Sequence, residues 1–288
     1  MSAGLEFLAK LPDSFVVANV PPASRMKQLS RLKISIVPLA ILLLSTQTHA
    51  QNETRPAMIG SGPDSVVANL HYPPKAKAAK REAAIPFYCE VGPRGKSDHF
   101  QLYGSDDKAE FSLALLAALK KGRFEPAISN GRPVSVIIGG TAFFMFQENQ
   151  PTIAVMLSTA DRQKTAALGN YIQPQMLGSS SDFRRKIWKA HFDKNIHLQN
   201  GVHPGAAAVV DVDQDGNLVG MKIQAESPTD SGWGALLLKA LQTARFIPAL
   251  ENGQPVGGQF DIIVNYDDLR DPDEAPVGSH LLRDDFGR

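Results

Sequence analysis

The residues best spaced to bind a metal ion lie in one acidic segment. Asp211, Asp213 and Asp215 alternate and are followed by Gly216, as in the first half of an EF-hand calcium loop. The twelfth loop position is Lys222, where calcium binding requires a bidentate glutamate. Alternating strand-like residues flank the segment, and Asp-Gly between two such runs is typical of a β-hairpin turn. We therefore expect a hairpin here and no metal site.

Other residues that could react or bind a metal are not grouped by a motif. His191, His197 and His203 recur every six residues, which fits neither one helix face nor a zinc-finger spacing, so exposed or capping histidines are expected. The single cysteine, Cys89, is expected to be a buried small apolar residue. The sequence contains no nucleophile elbow, phosphate-binding glycine loop or metal-protease helix. These observations favour a binding protein over an enzyme, with no cofactor and no small-molecule substrate.

A twelve-residue motif occurs twice and organises the chain. Residues 123–134 and 245–256 share eight of their twelve positions at one constant offset. In each copy an apolar helix-like run ends, a proline prevents the helix from continuing, and Asn-Gly supplies the positive φ angles of a tight turn. Such a duplication predicts two domains of similar structure. The motif residues that carry this prediction are Arg123, Phe124, Pro126, Asn130, Gly131, Arg245, Phe246, Pro248, Asn252 and Gly253.

The motif resembles the C-terminal domain of TonB-type energy transducers. That family joins an apolar helix, the sequence R-F-x-P-A-x-x-N-G-x-P-V and an alternating strand, with a Tyr-Pro upstream. The first copy keeps Tyr72-Pro73, whereas the second has no Tyr-Pro in its leading segment. The resemblance implies an α+β fold of two tandem TonB-C-like domains, each with one helix packed on an antiparallel sheet of about three strands.

The regions outside the motif predict how the chain is divided. A basic run from Met26, about a dozen apolar residues and the small residue Ala50 are typical of a secretory signal peptide at 26–50, removed after export to the periplasm. An uncleaved inner-membrane anchor is the alternative. Residues 1–25 are interpreted as a mis-called start or a disordered extension. The other predicted divisions are a first domain at 62–148, a linker with an extra strand at 149–170, a second domain at 171–269 and a disordered acidic tail at 270–288.

Local patterns predict the elements inside the two copies. Asp107 and Glu110 predict a capping box at the start of the first core helix. Gly139-Gly140 predicts a bulge or a close backbone approach, which would blunt that strand as a binding edge. The predicted elements are a helix at 75–84, strands at 85–91 and 100–103 around a turn, a core helix ending at 122, a strand at 134–146, a helix at 182–192, a strand at 207–212, a core helix from 233 and a last strand at 259–266.

The resemblance implies a protein partner in the cell envelope, such as an outer-membrane transporter, bound by strand addition. The net charge of +1 predicts no nucleic-acid partner unless a basic patch forms. The last strand is the predicted receiving edge, because it alternates regularly and is followed by the acidic tail. Its residues are Gln259, Phe260, Asp261, Ile262, Ile263, Val264, Asn265 and Tyr266.

A structural role is the alternative to partner capture. In this hypothesis the two copies are degenerate, pack against each other, cover their own sheet edges and serve as an envelope scaffold or assembly factor. The segment 51–61 is too short to replace the long Pro-rich spacer of a TonB protein, which favours this second hypothesis.

Cleavage of the signal peptide is the first testable prediction. N-terminal sequencing of the native protein should begin at Gln51, because the small residue Ala50 occupies the position before the expected cut. The variant Ala50→Leu should block the cleavage and retain the segment. A native chain that begins at Met26 would support the uncleaved anchor instead.

Overall fold

The computed structural model describes residues 53–104, 106–159, 170–193 and 205–265. The predicted signal peptide, the extension before it, the acidic tail, Tyr266, His197 and His203 lie outside these residues. Within the described ranges, no helix is long and apolar enough to cross a membrane. The described residues combine helices with antiparallel sheets, so the expected α+β class is confirmed.

The elements of the first half surround the first copy of the motif. Phe111, Leu115 and Leu119 recur on one side of the core helix and are fully buried, as their spacing predicted. The elements are α1 (Val66–Asn69), α2 (Pro74–Ala78), β1 (Ala83–Val91), β2 (Ser97–Leu102), a 3₁₀ turn (Asp106–Lys108), α3 (Ala109–Lys121), β3 (Ala127–Ser129), β4 (Arg132–Val134), β5 (Val136–Gln147) and β6 (Gln150–Met156).

The second half repeats part of this order and adds one helix. Trp233, expected to anchor the second core helix, is buried at its first turn. The elements are β7 (Tyr171–Ile172), β8 (Gln175–Leu177), α4 (Ser180–Asp193), β9 (Gly205–Val212), β10 (Leu218–Ser227), α5 (Trp233–Leu241), β11 (Phe246–Ile247), β12 (Ala249–Glu251), β13 (Gln254–Val256) and β14 (Gly258–Asn265).

Two local predictions at helix ends are wrong. The helix predicted at 75–84 ends at Ala78, and Lys80 with a φ of 51° then turns the chain toward β1. The predicted capping box is misplaced, because a 3₁₀ turn covers Asp106–Lys108 and the N-cap of α3 is Lys108, whose side chain makes no capping hydrogen bond. The Glu110 carboxylate instead accepts a hydrogen bond from the Arg81 guanidinium. An ion pair between separate elements has replaced the local cap.

The strand β5 lies in the middle of a six-stranded sheet, where a sheet of about three strands was expected. The strand order is β11-β8-β5-β1-β2, and β6 also pairs with β5. The predicted extra strand of the linker is therefore confirmed as β6. The other described sheets are β10-β9-β14, β13-β12-β7 and the pair β3-β4.

The glycine pair in β5 permits a close approach and makes no bulge. Tyr88 pairs with Gly139 and Phe87 with Gly140 in an unbroken register, so of the two predicted alternatives the close approach is confirmed and no bulge forms. A Cβ at Gly140 would lie 2.6 Å from the Phe87 ring and 2.8 Å from the Met156 carbonyl oxygen. No residue larger than glycine therefore fits at this position.

Two hydrophobic cores lie on the opposite faces of β5. Val136 and Ile138 point into the first core, with α3, whereas Ile137 points into the second core, with α5. Each core also includes a residue from the other half of the chain, because Ile247 packs in the first core and Ile137 in the second. The two halves are therefore packed against each other.

Both copies of the motif dock on a hairpin glycine. Phe124 N–H donates to the Gly95 carbonyl at 2.8 Å, and Phe246 N–H donates to the Gly216 carbonyl at 3.3 Å. Gly95 and Gly216 have φ of 74° and 80°. A Cβ at either glycine would lie within 2.2 Å of the carbonyl oxygen of its phenylalanine, so only glycine fits. Each phenylalanine is 4% exposed, in the first and second core respectively.

The Asn-Gly pairs form the predicted tight turns. Asn130 and Gly131 have φ of 50° and 71°, and Asn252 and Gly253 have φ of 52° and 78°. Positive φ at both central residues is typical of a type I′ turn, whose twist matches that of the strands it joins. The turns connect β3 to β4 and β12 to β13.

Loss of either motif phenylalanine should destabilise the fold. Phe124→Ala and Phe246→Ala each leave a cavity in a closed core, so the free energy of unfolding should fall by about 3 to 5 kcal/mol. Urea unfolding measures this change. The control is Leu113→Ala, because Leu113 is 64% exposed on α3 and should change stability by less than about 0.5 kcal/mol. Equal effects at Phe124 and Leu113 would contradict the core role of the motif.

Candidate functional site

The predicted receiving strand is an edge strand. β14 pairs with β9 from Gly258 to Asn265, and no other described strand lies on its outer side. Phe260, Ile262 and Val264 point into the second core, which confirms the predicted alternation. Tyr266, the last residue of the predicted edge, lies outside the described residues.

Side chains of the same chain lie close to the first half of this strand. A Cβ at Gly258 would lie 2.5 Å from the Tyr171 phenol oxygen. Residues two apart in an antiparallel strand direct their N–H groups to the same side, so the N–H groups of Asp261 and Ile263 point the same way. Among the described residues outside β9, no backbone group accepts a hydrogen bond from the Ile263 N–H.

The side chain of Asp261 joins a polar cluster between the two halves of the chain. Its Oδ2 lies 2.9 Å from Thr159 Oγ1 and 3.4 Å from the Tyr88 hydroxyl. Gln173 Oε1 accepts from Thr159 N–H at 2.8 Å and lies 3.0 Å from Thr159 Oγ1. Gln173 is fully buried and Tyr88 is 5% exposed. No cation is found beside Asp261 in the described part of the chain.

Burial and hydrogen bonding act in opposite directions on the Asp261 carboxyl. The Thr159 hydroxyl lies between two acceptors, Gln173 Oε1 and Asp261 Oδ2, and the Tyr88 hydroxyl can donate to Asp261. Burial raises the pKa of Asp261, although hydrogen bonds from Thr159, from Tyr88 and from its own N–H oppose this change. Burial, and then the charge of Asp261, raise the pKa of the Tyr88 phenol.

Gly139 makes room for the cluster. A Cβ at Gly139 would lie 2.4 Å from Gln173 Nε2, 2.9 Å from Thr159 Cγ2 and 3.0 Å from the Tyr88 ring. Gly139 and Asp261 occupy the same position of the two copies, counted with the offset of the motif. Aligning the two copies beyond the motif could have shown that a glycine of the first copy corresponds to an aspartate of the second. It could not have shown that the two residues contribute to one cluster.

Two further contacts join the halves through the backbone. The Gln175 side-chain amide accepts from Ala57 N–H at 2.7 Å and donates to the Ala57 carbonyl at 2.9 Å. The Glu90 carboxylate accepts from Ser180 N–H at 2.9 Å at the start of α4. Side-chain acceptors at the first turn of a helix satisfy N–H groups that have no partner inside the helix. These contacts tie β8 and the start of α4 to residues of the first half of the chain.

The strand equivalent to β14 in the first copy has no open edge. β1 pairs along one side of β5, while β6 and β8 pair along the other. Strands of the same chain therefore cover this edge on either side of Gly139-Gly140. The expected effect of the two glycines on the edge stays a prediction.

The residues first considered for chemistry have structural roles. Asp213 accepts hydrogen bonds from the N–H groups of Asp215 and Asn217 in the hairpin turn between β9 and β10, as predicted. Cys89 is buried, as expected, and burial raises the pKa of its thiol. His191 lies in α4. No group of three or more His, Cys, Asp or Glu side chains within the described ranges is arranged to bind a metal ion.

Comparison with known families identifies one matching region. Residues 68–146 match the family described as Gram-negative bacterial TonB protein C-terminal. The match covers about a quarter of the chain and ends within β5. A search of curated proteins found no match. The family match supports a TonB-like protein-interaction module over these residues.

The cluster predicts an unusual pH dependence. The pKa of Asp261 is higher in the folded chain than the value of about 3.9 of an unfolded aspartate, so the folded state holds this proton more tightly. Stability from this group is present below about pH 4 and lost as pH rises through the folded pKa. Asp261→Asn can donate to Thr159 as a protonated carboxyl would. At neutral pH the variant should be at least as stable as the native chain. Its free energy of unfolding, measured with urea, should also fall less than that of the native chain as the pH rises from about 4 to neutral.

A second aspartate is the control with the opposite sign. Hydrogen bonds from Asn217 lower the pKa of Asp213, so its stabilisation is present at neutral pH and lost as pH falls. Asp213→Asn should therefore destabilise the chain at neutral pH and have less effect in acid. If Asp261→Asn behaves like Asp213→Asn, the cluster holds an ionised carboxylate.

Proposed function

We propose that this chain is a non-enzymatic protein-binding module of the periplasm, in which β14 receives an extended partner segment by strand addition. The first half of the chain resembles a TonB C-terminal region. This resemblance implies an outer-membrane transporter as the partner. The signal peptide predicted at 26–50 supports export. No nucleic acid, cofactor or small-molecule substrate enters this function.

The edge position of β14 is the observation that carries this proposal. Main-chain N–H and C=O groups on an edge strand supply affinity for another extended segment, and nearby side-chain pockets supply specificity. In this binding mode the Ile263 N–H faces the added segment, and a small cleft runs beside Ile263. The cleft is lined in part by Phe183, Ile262 and Val264. An apolar side chain of the added segment would pack there.

Contacts at Gly258 and Asp261 limit the receiving edge to its second half. An added segment would pair from Ile263 onward, because the Tyr171 phenol lies against Gly258 and the Asp261 side chain is held by Thr159 and Tyr88. A short pairing region gives modest affinity, and the cleft must then contribute much of the selectivity.

The scaffold hypothesis is the second candidate, and the closed edges of β5 favour it. β6 and β8 occupy the side of β5 that an incoming segment would otherwise use. Residues from both halves of the chain also enter both cores. In this hypothesis the two copies stabilise each other and present no receiving edge.

A proline at Ile263 distinguishes the two candidates. Ile263→Pro removes an outward N–H, so it should leave the fold intact while it weakens partner binding by about fivefold or more, the value of one hydrogen bond. Ile263→Thr changes the side chain but keeps the N–H, and it serves as the matched control. Each protein is used to capture partners from an envelope extract, followed by titration with a synthetic peptide from the captured transporter.

Capture of outer-membrane transporters by the native chain and by Ile263→Thr, with loss in Ile263→Pro, is the expected result. Identical partners for all three proteins, or no partner for any, would favour the scaffold. Thermal unfolding of each variant shows whether a loss of binding is a loss of fold.

A further inference from the structure

The first half of the chain carries a basic cluster that its second half lacks. The cluster lies at the end of α3 and at the turn between β1 and β2, and all its side chains are exposed. Its members are Arg94, Lys96, Lys120, Lys121 and Arg123.

Tertiary contacts bring these residues together from three segments. Lys96 and Arg123 are partners in an isolated β-bridge. The Arg123 guanidinium donates to the Arg94 carbonyl at 3.4 Å. Ser97, next to Lys96, donates its hydroxyl hydrogen to the Leu119 carbonyl at 2.8 Å, which places the turn beside the last residues of α3. Asp64 Oδ2, 3.9 Å from Arg123 Nε, is the one carboxylate paired with the cluster in the described part of the chain.

The second copy shows that the fold does not require these charges. Aligned through their hairpin glycines and motifs, Arg94 and Lys96 correspond to Asp215 and Asn217, while Lys120 and Lys121 correspond to Gln242 and Thr243. That end of the second copy mixes Arg245 and Lys186 with Asp213 and Asp215 and is close to neutral. Like charges crowded at one place repel one another, so the cluster is not explained by stability.

We propose that the basic cluster is a docking surface for an anionic phospholipid membrane. The five cations lie on exposed turns and a helix end, whereas the described clefts of the chain lie elsewhere. A shallow surface without a pocket cannot read one specific anion, but it can face a plane of headgroup charges, where each basic residue contributes separately. Val67 lies close to this cluster, because Ser65, two residues before it, forms a β-bridge with Arg123. The apolar side chain of Val67 is 37% exposed and can contact the membrane interface. The proposal does not rest on strand addition at β14.

The second copy supplies the variant that tests this surface. The double variant Lys120→Gln with Lys121→Thr replaces two cations by the residues at the equivalent positions of the second copy. The control, Lys75→Gln with Lys77→Gln, removes the same charge from exposed positions of α2. Both are made in the full chain. Binding is measured by co-sedimentation with vesicles of phosphatidylcholine, alone or with about 30% phosphatidylglycerol, at low and high salt.

The native chain should bind the anionic vesicles more tightly than the neutral ones, and high salt should remove the difference. Replacing the two cluster lysines should weaken binding to the anionic vesicles by about 25-fold, because each lost charge weakens it by about fivefold. The control pair should weaken it much less, and both variants should keep the native unfolding temperature. Equal losses in the two variants would overturn the proposal. Binding of polyglutamate or duplex DNA by the native chain, at a salt concentration at which it does not bind anionic vesicles, would also overturn the proposal.

Discussion

The structure depends on the position of β5 between two cores and between strands on both of its sides. Ile137 enters the second core, whereas Val136 and Ile138 enter the first. β1 pairs along one edge, while β8 and β6 pair with residues 136–137 and 141–147 on the other. A strand in this position cannot be removed without opening both halves of the chain. The small glycines at 139 and 140 are a consequence, because Phe87, Tyr88 and Gln173 approach this strand more closely than a side chain would allow.

The same requirement to satisfy backbone groups explains the asymmetry between the two copies. In the first copy the strand after the motif is closed by β6, which returns through a tight turn and pairs with it. In the second copy β14 keeps an outer side without a described strand, and the Tyr171 phenol and the Asp261 cluster lie close to its first half. One copy therefore acts as the supporting sheet, and the other retains a short stretch of edge.

Divergence between the copies separates fold from function. The glycines that accept the motif phenylalanines and the Asn-Gly turns are the same in both, because their φ angles and close contacts permit no alternative. Charges on the surface have no such constraint. The concentration of cations near the first copy of the motif, and the placement of Asp261 at the position equivalent to Gly139, are differences that the repeated motif leaves free.

The sequence by itself determined the elements whose cause is local. Proline and Asn-Gly chemistry placed the motif turns, helical spacing placed α3 and α5, strict alternation placed β14, and an apolar run in the linker placed β6. The tertiary structure alone decided which edges are covered, why Glu110 pairs with Arg81 instead of capping its helix, and that Asp261 is buried beside Tyr88. These outcomes depend on contacts between residues far apart in the chain, and no local pattern of residue types specifies which distant group will satisfy an unpaired hydrogen bond or charge.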